Sequence, residues 1–184
     1  MEAALMVFLE KGYEGSTFNE LVAAMDISPP SFYAAFENKE GLFRRAIEHY
    51  AKRGEPIVEQ ALRQPTAFEV IETFMRLLVE LDTAPDKPPG CLFVQGALTS
   101  SEKSHDIRLE LAARRTAIEP ILTKRLKQAR KDGDMSVKGN PKQVARYVAT
   151  VLQGVAVQAA SGSSRKELEE VIKVSLQGLM ATRN

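Results

Sequence analysis

The sequence predicts an all-α protein of about nine helices, and three observations carry that prediction. Apolar residues recur every three or four positions along nearly the whole chain, and no stretch alternates as a strand would. Helix-start chemistry stands immediately before several of these apolar runs. Glycine and proline gather at a few places between the runs, above all in residues 82–90. At 184 residues with 44% apolar and 27% charged content, the chain can bury a real core, and its net charge of +1 does not select a partner.

Taken in order, Thr17-x-x-Glu20 is a capping box that opens a short helix ending near Met25-Asp26. Phe18, Leu21, Val22 and Met25 give that helix an inward stripe, and Ile27 lies in the following turn. Ser28 is suited to an N-cap and Pro29 to the first helical position, where a missing amide costs nothing. Phe32, Tyr33 and Phe36 then place more aromatic surface on one short helix than solvent tolerates, so part of it packs inward. A helix after Lys39 runs through Leu42, Phe43, Ile47 and Tyr50, with a break expected at Gly54-Glu55-Pro56 before Ile57, Val58, Ala61 and Leu62. Thr66 caps the next, striped by Phe68, Ile71, Phe74, Met75, Leu78 and Leu81, and Asp82 to Gly90 is a loop. Residues 91 to 101 form a short helix whose apolar part is Cys91 to Leu98. A long amphipathic helix follows from about Ser104 to Lys131, bent near Pro120 and closed by Asp132-Gly133. Pro141 opens a helix, Ser161 to Ser164 make a turn, and a last helix carries Leu168 to Leu179.

Two short helices joined by a tight turn near the N-terminus present one exposed helix in the manner of a helix-turn-helix. The run resembles the DNA-binding head of the TetR family of transcriptional repressors. Its Tyr-x-x-Phe-x-x-Lys-x-x-Leu tail stands here as Tyr33, Phe36, Lys39 and Leu42. The likeness covers roughly residues 5 to 45; beyond that it is architectural. It implies a three-helix head in residues 1–45 and a helical effector-binding and dimerisation domain in residues 46–184. It also implies that Thr17 and Tyr33 contact phosphates, and that Lys39 stands near the DNA backbone, its amide donating at a helix start. Ser28, Pro29, Pro30, Ser31 and Phe32 would face the major groove, Pro30 and Phe32 through apolar contact such as thymine methyls. Family members usually begin with a basic arm and a longer first helix, so further residues are expected upstream of Met1. Against DNA stands charge: residues 1–50 hold four basic side chains (Lys11, Lys39, Arg44, Arg45) and eight acidic ones (Glu2, Glu10, Glu14, Glu20, Asp26, Glu37, Glu40, Glu48). The alternative is therefore a helical interaction module that has lost DNA binding.

The last two helices have apolar residues on more than one face, more than one small interior requires. Pairing with a second copy predicts a four-helix dimer interface built from Val144, Tyr147, Val148, Val151, Val155, Leu168, Ile172, Ser175 and Leu179. Such a homodimer matches the two half-sites of a near-palindromic double-stranded operator. The resemblance further implies a small-molecule effector among the middle helices, with Phe74, Leu78, Leu92, Phe93 and Leu98 as candidate walls and Gln95 as a polar contact. No nucleotide-binding or hydrolase motif occurs, and His49 and His105 have no second ligand at metal spacing. The expectation is a non-enzyme with no cofactor and no metal. The single cysteine, Cys91, has no basic cluster beside it and reads as a buried structural thiol rather than a sensor. No apolar run is long enough to span a bilayer and no signal peptide is recognisable, so a cytoplasmic protein without a membrane partner is expected.

Overall fold

The computed structural model describes residues 1–98 and 104–180, apart from the side chains of residues 97 and 98. Ten helices are described: α1 (Glu2–Gly15), α2 (Phe18–Met25), α3 (Pro29–Phe36), α4 (Lys39–Leu62), α5 (Ala67–Asp82), α6 (Leu92–Leu98), α7 (His105–Thr116), α8 (Ile118–Lys131), α9 (Pro141–Ala160) and α10 (Arg165–Leu179). The only pairing of extended backbone among the described residues is an isolated bridge, Val137 with Met180.

The expected caps form. Thr17 and Glu20 satisfy each other's end of α2 reciprocally, and Thr66 with Glu69 does the same for α5. Ser28 accepts from the amide of Ser31 at the start of α3, with prolines in the first turn. Residues distant in sequence add to this: Asp134 and Ser136 accept from the free amides of Ala67 and Phe68, docking the loop after α8 onto α5. Arg125 of α8 donates to the carbonyls of Leu62, Gln64 and Pro65, holding the α4–α5 turn in place.

Two boundaries differ from expectation. Helix α4 runs unbroken through Pro56. Pro56 and Lys52 are both exposed, so the carbonyl that loses its intrahelical donor faces water. Ile57, Val58 and Leu62 beyond it pack on the core, which rewards continuing the helix. The long helix breaks at Ala117, not at Pro120. A proline's ring clashes with the carbonyl four residues earlier, here that of Thr116, so the helix divides one turn upstream of Pro120.

Two apolar cores result. One is closed by α1 to α4, with Leu5, Phe8, Leu21, Phe32, Leu42, Phe43 and Ile47, and it also takes in Leu92 of α6 and Ile107 and Leu111 of α7. The other lies between α5, α8, α9 and α10, around Ile71, Phe74, Met75, Leu122, Val148, Leu152, Ile172 and Leu176. Helices α6 and α7 thus belong to the core of the N-terminal head while following the loop from α5. Polar ties reinforce the junction: Arg44 with Glu110, and Ser104 donating to Glu14.

Candidate functional site

Helix α3 is only eight residues long and has one inner face. Phe32 fills that face, fully buried, edge-on to Phe18 at 4.9 Å and 5.5 Å from Phe36. The rest of the helix is left outside: Pro29, Pro30, Ser31, Tyr33, Ala34 and Ala35 are exposed. Tyr33 is 54% exposed and stacks on Phe18, ring centroids 5.3 Å apart. Beside this face lie exposed Thr17 at the start of α2 and the first amides of α4, whose N-cap is Asn38. The result is a short helix with a small-residue exposed face and two helix N-termini beside it.

Two glycines hold this geometry. Gly12 takes φ 69° and ψ −179°, a conformation open essentially to glycine, and turns α1 toward α2. A Cβ on Gly41 would lie 2.2 Å from the carbonyl oxygen of Phe36, so the α3–α4 turn closes only over glycine.

Several of the head's acids are engaged internally. Glu20 bonds Lys11 and Thr17, which hold its carboxyl down at about 2. Glu2 is paired with His49 and Arg53, and Glu40 with Arg44. The formal negative charge of the head is in part the internal wiring of its helices.

A cavity of about 150 Å³ lies between α4, α5, α6, α7, α8 and α9. Its apolar wall includes Phe74, Leu78, Leu81, Phe93, Ile118 and Leu152. Tyr50, whose ring meets Phe93 edge-on at 5.1 Å, lies with Cys91 on the same wall. Burial pushes the thiol of Cys91 up, with the nearby Asp82 adding to the effect, so it holds little thiolate. Asp82 ends α5 and is itself only 5% exposed; burial pushes its carboxyl up to about 7 despite the attraction of Lys87. Arg114 and Arg115 line the side toward α7.

The family model for bacterial regulatory proteins of the tetR family matches residues 1–46. The TetR family regulator CifR, in a cysteine-mutant form complexed with 26-base-pair double-strand operator DNA, superposes with a TM-score of 0.90. It is 36% identical, covering 96% of this chain and 93% of that one. The chain belongs to the TetR family. A TetR regulator from Rhodococcus sp. RHA1 is 34% identical at a TM-score of 0.66, over 98% of this chain and 97% of the other. The transcriptional repressor ComR of Escherichia coli K12 is 27% identical over 179 residues, 96% of this chain and 85% of its own length.

Within this TetR-family frame the predicted site residues separate. Thr17, Ser28, Pro29, Pro30, Ser31 and Tyr33 share the exposed side of the head. Phe32 does not face outward; α3 needs one large apolar side chain to seat it on α2, and Phe32 is that anchor. The Lys39 side chain also turns inward, its ammonium donating to the Ser16 carbonyl at 2.6 Å and lying 4.6 Å from the centre of the Tyr13 ring. Its backbone amide remains at the N-terminus of α4. Ala34, which composition does not mark, belongs to the exposed α3 face; the helical spacing from Pro30 and Ser31 was the available signal.

Of the predicted cavity residues, Phe74, Leu78 and Phe93 line the wall. Leu92 turns instead into the core of the head, and Gln95 donates to the Pro89 carbonyl, outside the cavity. The Leu98 side chain falls outside the described residues. Tyr50, Asp82, Cys91, Arg114 and Arg115 are additions. For Asp82 the sequence did hold a signal: it continues the Ile71, Met75, Leu78, Val79 stripe, an acid at an inward register.

The predicted dimer face requires the largest correction. Val144, Val148, Val155, Leu168, Ile172, Ser175 and Leu179 are buried within the chain's own core. Helices α9 and α10 pack against α5 and α8, and that packing consumes both the valine and the alanine faces of α9. The apolar residues left outside are Tyr147 and Val157 on α9 and Val171 and Val174 on α10, with Val151 partly covered.

Among the described residues no group of His, Cys, Asp and Glu is arranged to hold a metal ion, and no helix is long and apolar enough to cross a membrane. His49 pairs with Glu2 and His105 with Arg108, and neither lines the cavity.

Proposed function

We propose that this TetR-family chain is a transcriptional repressor that binds a near-palindromic operator as a homodimer and releases it when a small molecule fills the interior cavity. The observation that carries the reading is the outward face of α3, small and flanked by two helix N-termini, on a head whose 36% identical relative was solved on operator DNA. The chain divides near residue 45 into a reading head and a helical body. In the head, Ser28 and Ser31 supply hydroxyls, and Pro29, Pro30 and Ala34 supply apolar surface for thymine methyls. Tyr33, Thr17 and the Lys39 amide grip phosphates. A regulator rather than an enzyme fits a cavity whose described walls hold no histidine and whose one thiol is kept protonated.

The body supplies both pairing and control. Tyr147, Val151, Gly154 and Val157 stand at helical spacing on α9, as do Val171, Val174 and Gly178 on α10. Gly154 and Gly178 have open space where a side chain would be, so a partner helix can approach closely. Control follows from helices that touch both head and cavity: α4, through Tyr50, and α6 and α7. Phe93 and Val94 of α6, and Arg114 and Arg115 of α7, line the cavity, while Leu92, Ile107 and Leu111 of the same helices sit in the head's core. A ligand that prefers one setting of α6 and α7 shifts the spacing of the two heads by its differential affinity for the two states.

The test is selection from a random duplex library, followed by titration of recovered fragments at two salt concentrations. Enrichment of a palindrome whose affinity falls with salt is expected. Tyr33→Ala then weakens binding by roughly 1–3 kcal/mol without unfolding the protein. An acidic head that enriches no sequence, yet captures a protein partner, would point to the interaction module instead.

A further inference from the structure

Asp82 has no hydrogen bond or ion pair to its carboxylate among the described residues, although it is 5% exposed and lines the cavity. Buried carboxylates without partners are expensive and are seldom retained for the fold alone. Lys87 is the opposite charge that acts on it, but its ammonium is spent on the carbonyls of Gly90, at 3.0 Å, and Pro88, at 3.3 Å. The charged groups on the wall limit what approaches. Arg114 and Arg115 oppose a cation, and Asp82 itself opposes an anion. A cavity near 150 Å³ walled by phenylalanine, leucine and isoleucine is the size that accepts a benzene-sized body.

Resting on the reading of this cavity as the effector site, we propose that its ligand is a small, neutral, mostly apolar molecule carrying one hydroxyl, of the phenol or short alcohol class, and that the hydroxyl donates to Asp82. The apolar body lies against Phe74, Leu78, Phe93 and Leu152, and the hydroxyl ends the isolation of the carboxylate. Discrimination then follows from what is left unsatisfied: a ligand lacking the donor strands Asp82 in a dry site.

The experiment titrates the purified full chain with phenol, toluene, benzylamine and benzoate by calorimetry or ligand-observed NMR. Phenol is expected to bind at least about tenfold more tightly than toluene, its isostere without a donor, and more tightly than either charged probe. Asp82→Leu removes the preference while toluene still binds; Asp82→Asn keeps the shape and a neutral acceptor and reduces the preference, which covers the case of a leucine variant that does not fold. Equal binding of phenol and toluene, or a phenol preference that survives Asp82→Leu, overturns the role of Asp82 and leaves the cavity as a ligand site. Tightest binding by benzylamine or benzoate overturns the neutral-donor class. Binding of none of the four overturns the proposal together with the effector reading of the cavity.

Discussion

A single buried acid links stability to the cavity at the scale of the residue. Asp82 is held at about 7 in the folded chain against an ordinary 3.8, chiefly by burial. A raised carboxyl means the folded state holds its proton longer than the unfolded state does. The destabilisation is therefore absent below pH 3.8, grows as pH rises toward 7, and is constant above it. Its ceiling is roughly 4 kcal/mol, three units at about 1.4 kcal/mol each. Of the other groups that line the cavity or act on Asp82, Arg114 and Arg115 are the charged ones on the α7 side, Tyr50 and Cys91 are both pushed further into their neutral forms, and Lys87 is lowered by burial from a range well above this window. Asp82→Asn is thus expected to melt near the parent at pH 4.5 and well above it at pH 8. Parallel melting curves at the two pH values would show that the buried carboxyl carries no such cost.

At the scale of the element, capping chemistry was legible wherever it is local. The Thr17-x-x-Glu20 box and the Ser28-Pro29 start define α2 and α3 within a residue of their observed ends, because both partners lie within one turn. What could not be read were properties set by distant packing. Pro56 does not interrupt α4 because the residues beyond it are rewarded by a core assembled from α5, α8 and α10. Phe32 was assigned to the groove with Ser28 to Ser31 by the resemblance, whereas it is the side chain that seats α3 on Phe18. The same logic singles out Gly41, whose importance depends on a carbonyl five residues earlier. Gly41→Ala places a methyl against the Phe36 oxygen, which backbone on both sides prevents from yielding. Such overpacking costs about 1–3 kcal/mol, a drop in Tm of roughly 2–12 °C in a chain of this size. Because the strain opens the α3–α4 turn, operator affinity falls with it; a variant with unaltered melting and DNA binding would remove this turn as the device that sets α3.

At the scale of the whole molecule, the face of α9 and α10 proposed to pair with a second copy is what their own core does not use. Periodicity could not separate the two, since α9 is apolar on the side that meets α5 and α8 and again at Tyr147 and Val157. Val174 decides between the two uses of the hairpin: at 67% exposed it contributes almost nothing to the interior, yet it lies midway along the outward stripe of α10. Val174→Arg is therefore expected to leave the melting of the isolated chain nearly unchanged. In a two-fold pairing the substitution enters both halves, and an uncompensated charge in an apolar interface costs several kcal/mol, a loss of about a thousandfold or more in dimer affinity. Sedimentation should show a monomer at concentrations where the parent is a dimer. Operator binding should weaken in step, because a monomer loses the factor of about 10²–10⁴ that joining two reading heads provides. A Val174→Arg chain that still sediments as a dimer places the interface elsewhere. One that becomes monomeric but keeps full operator affinity would mean that each head reads its half-site alone.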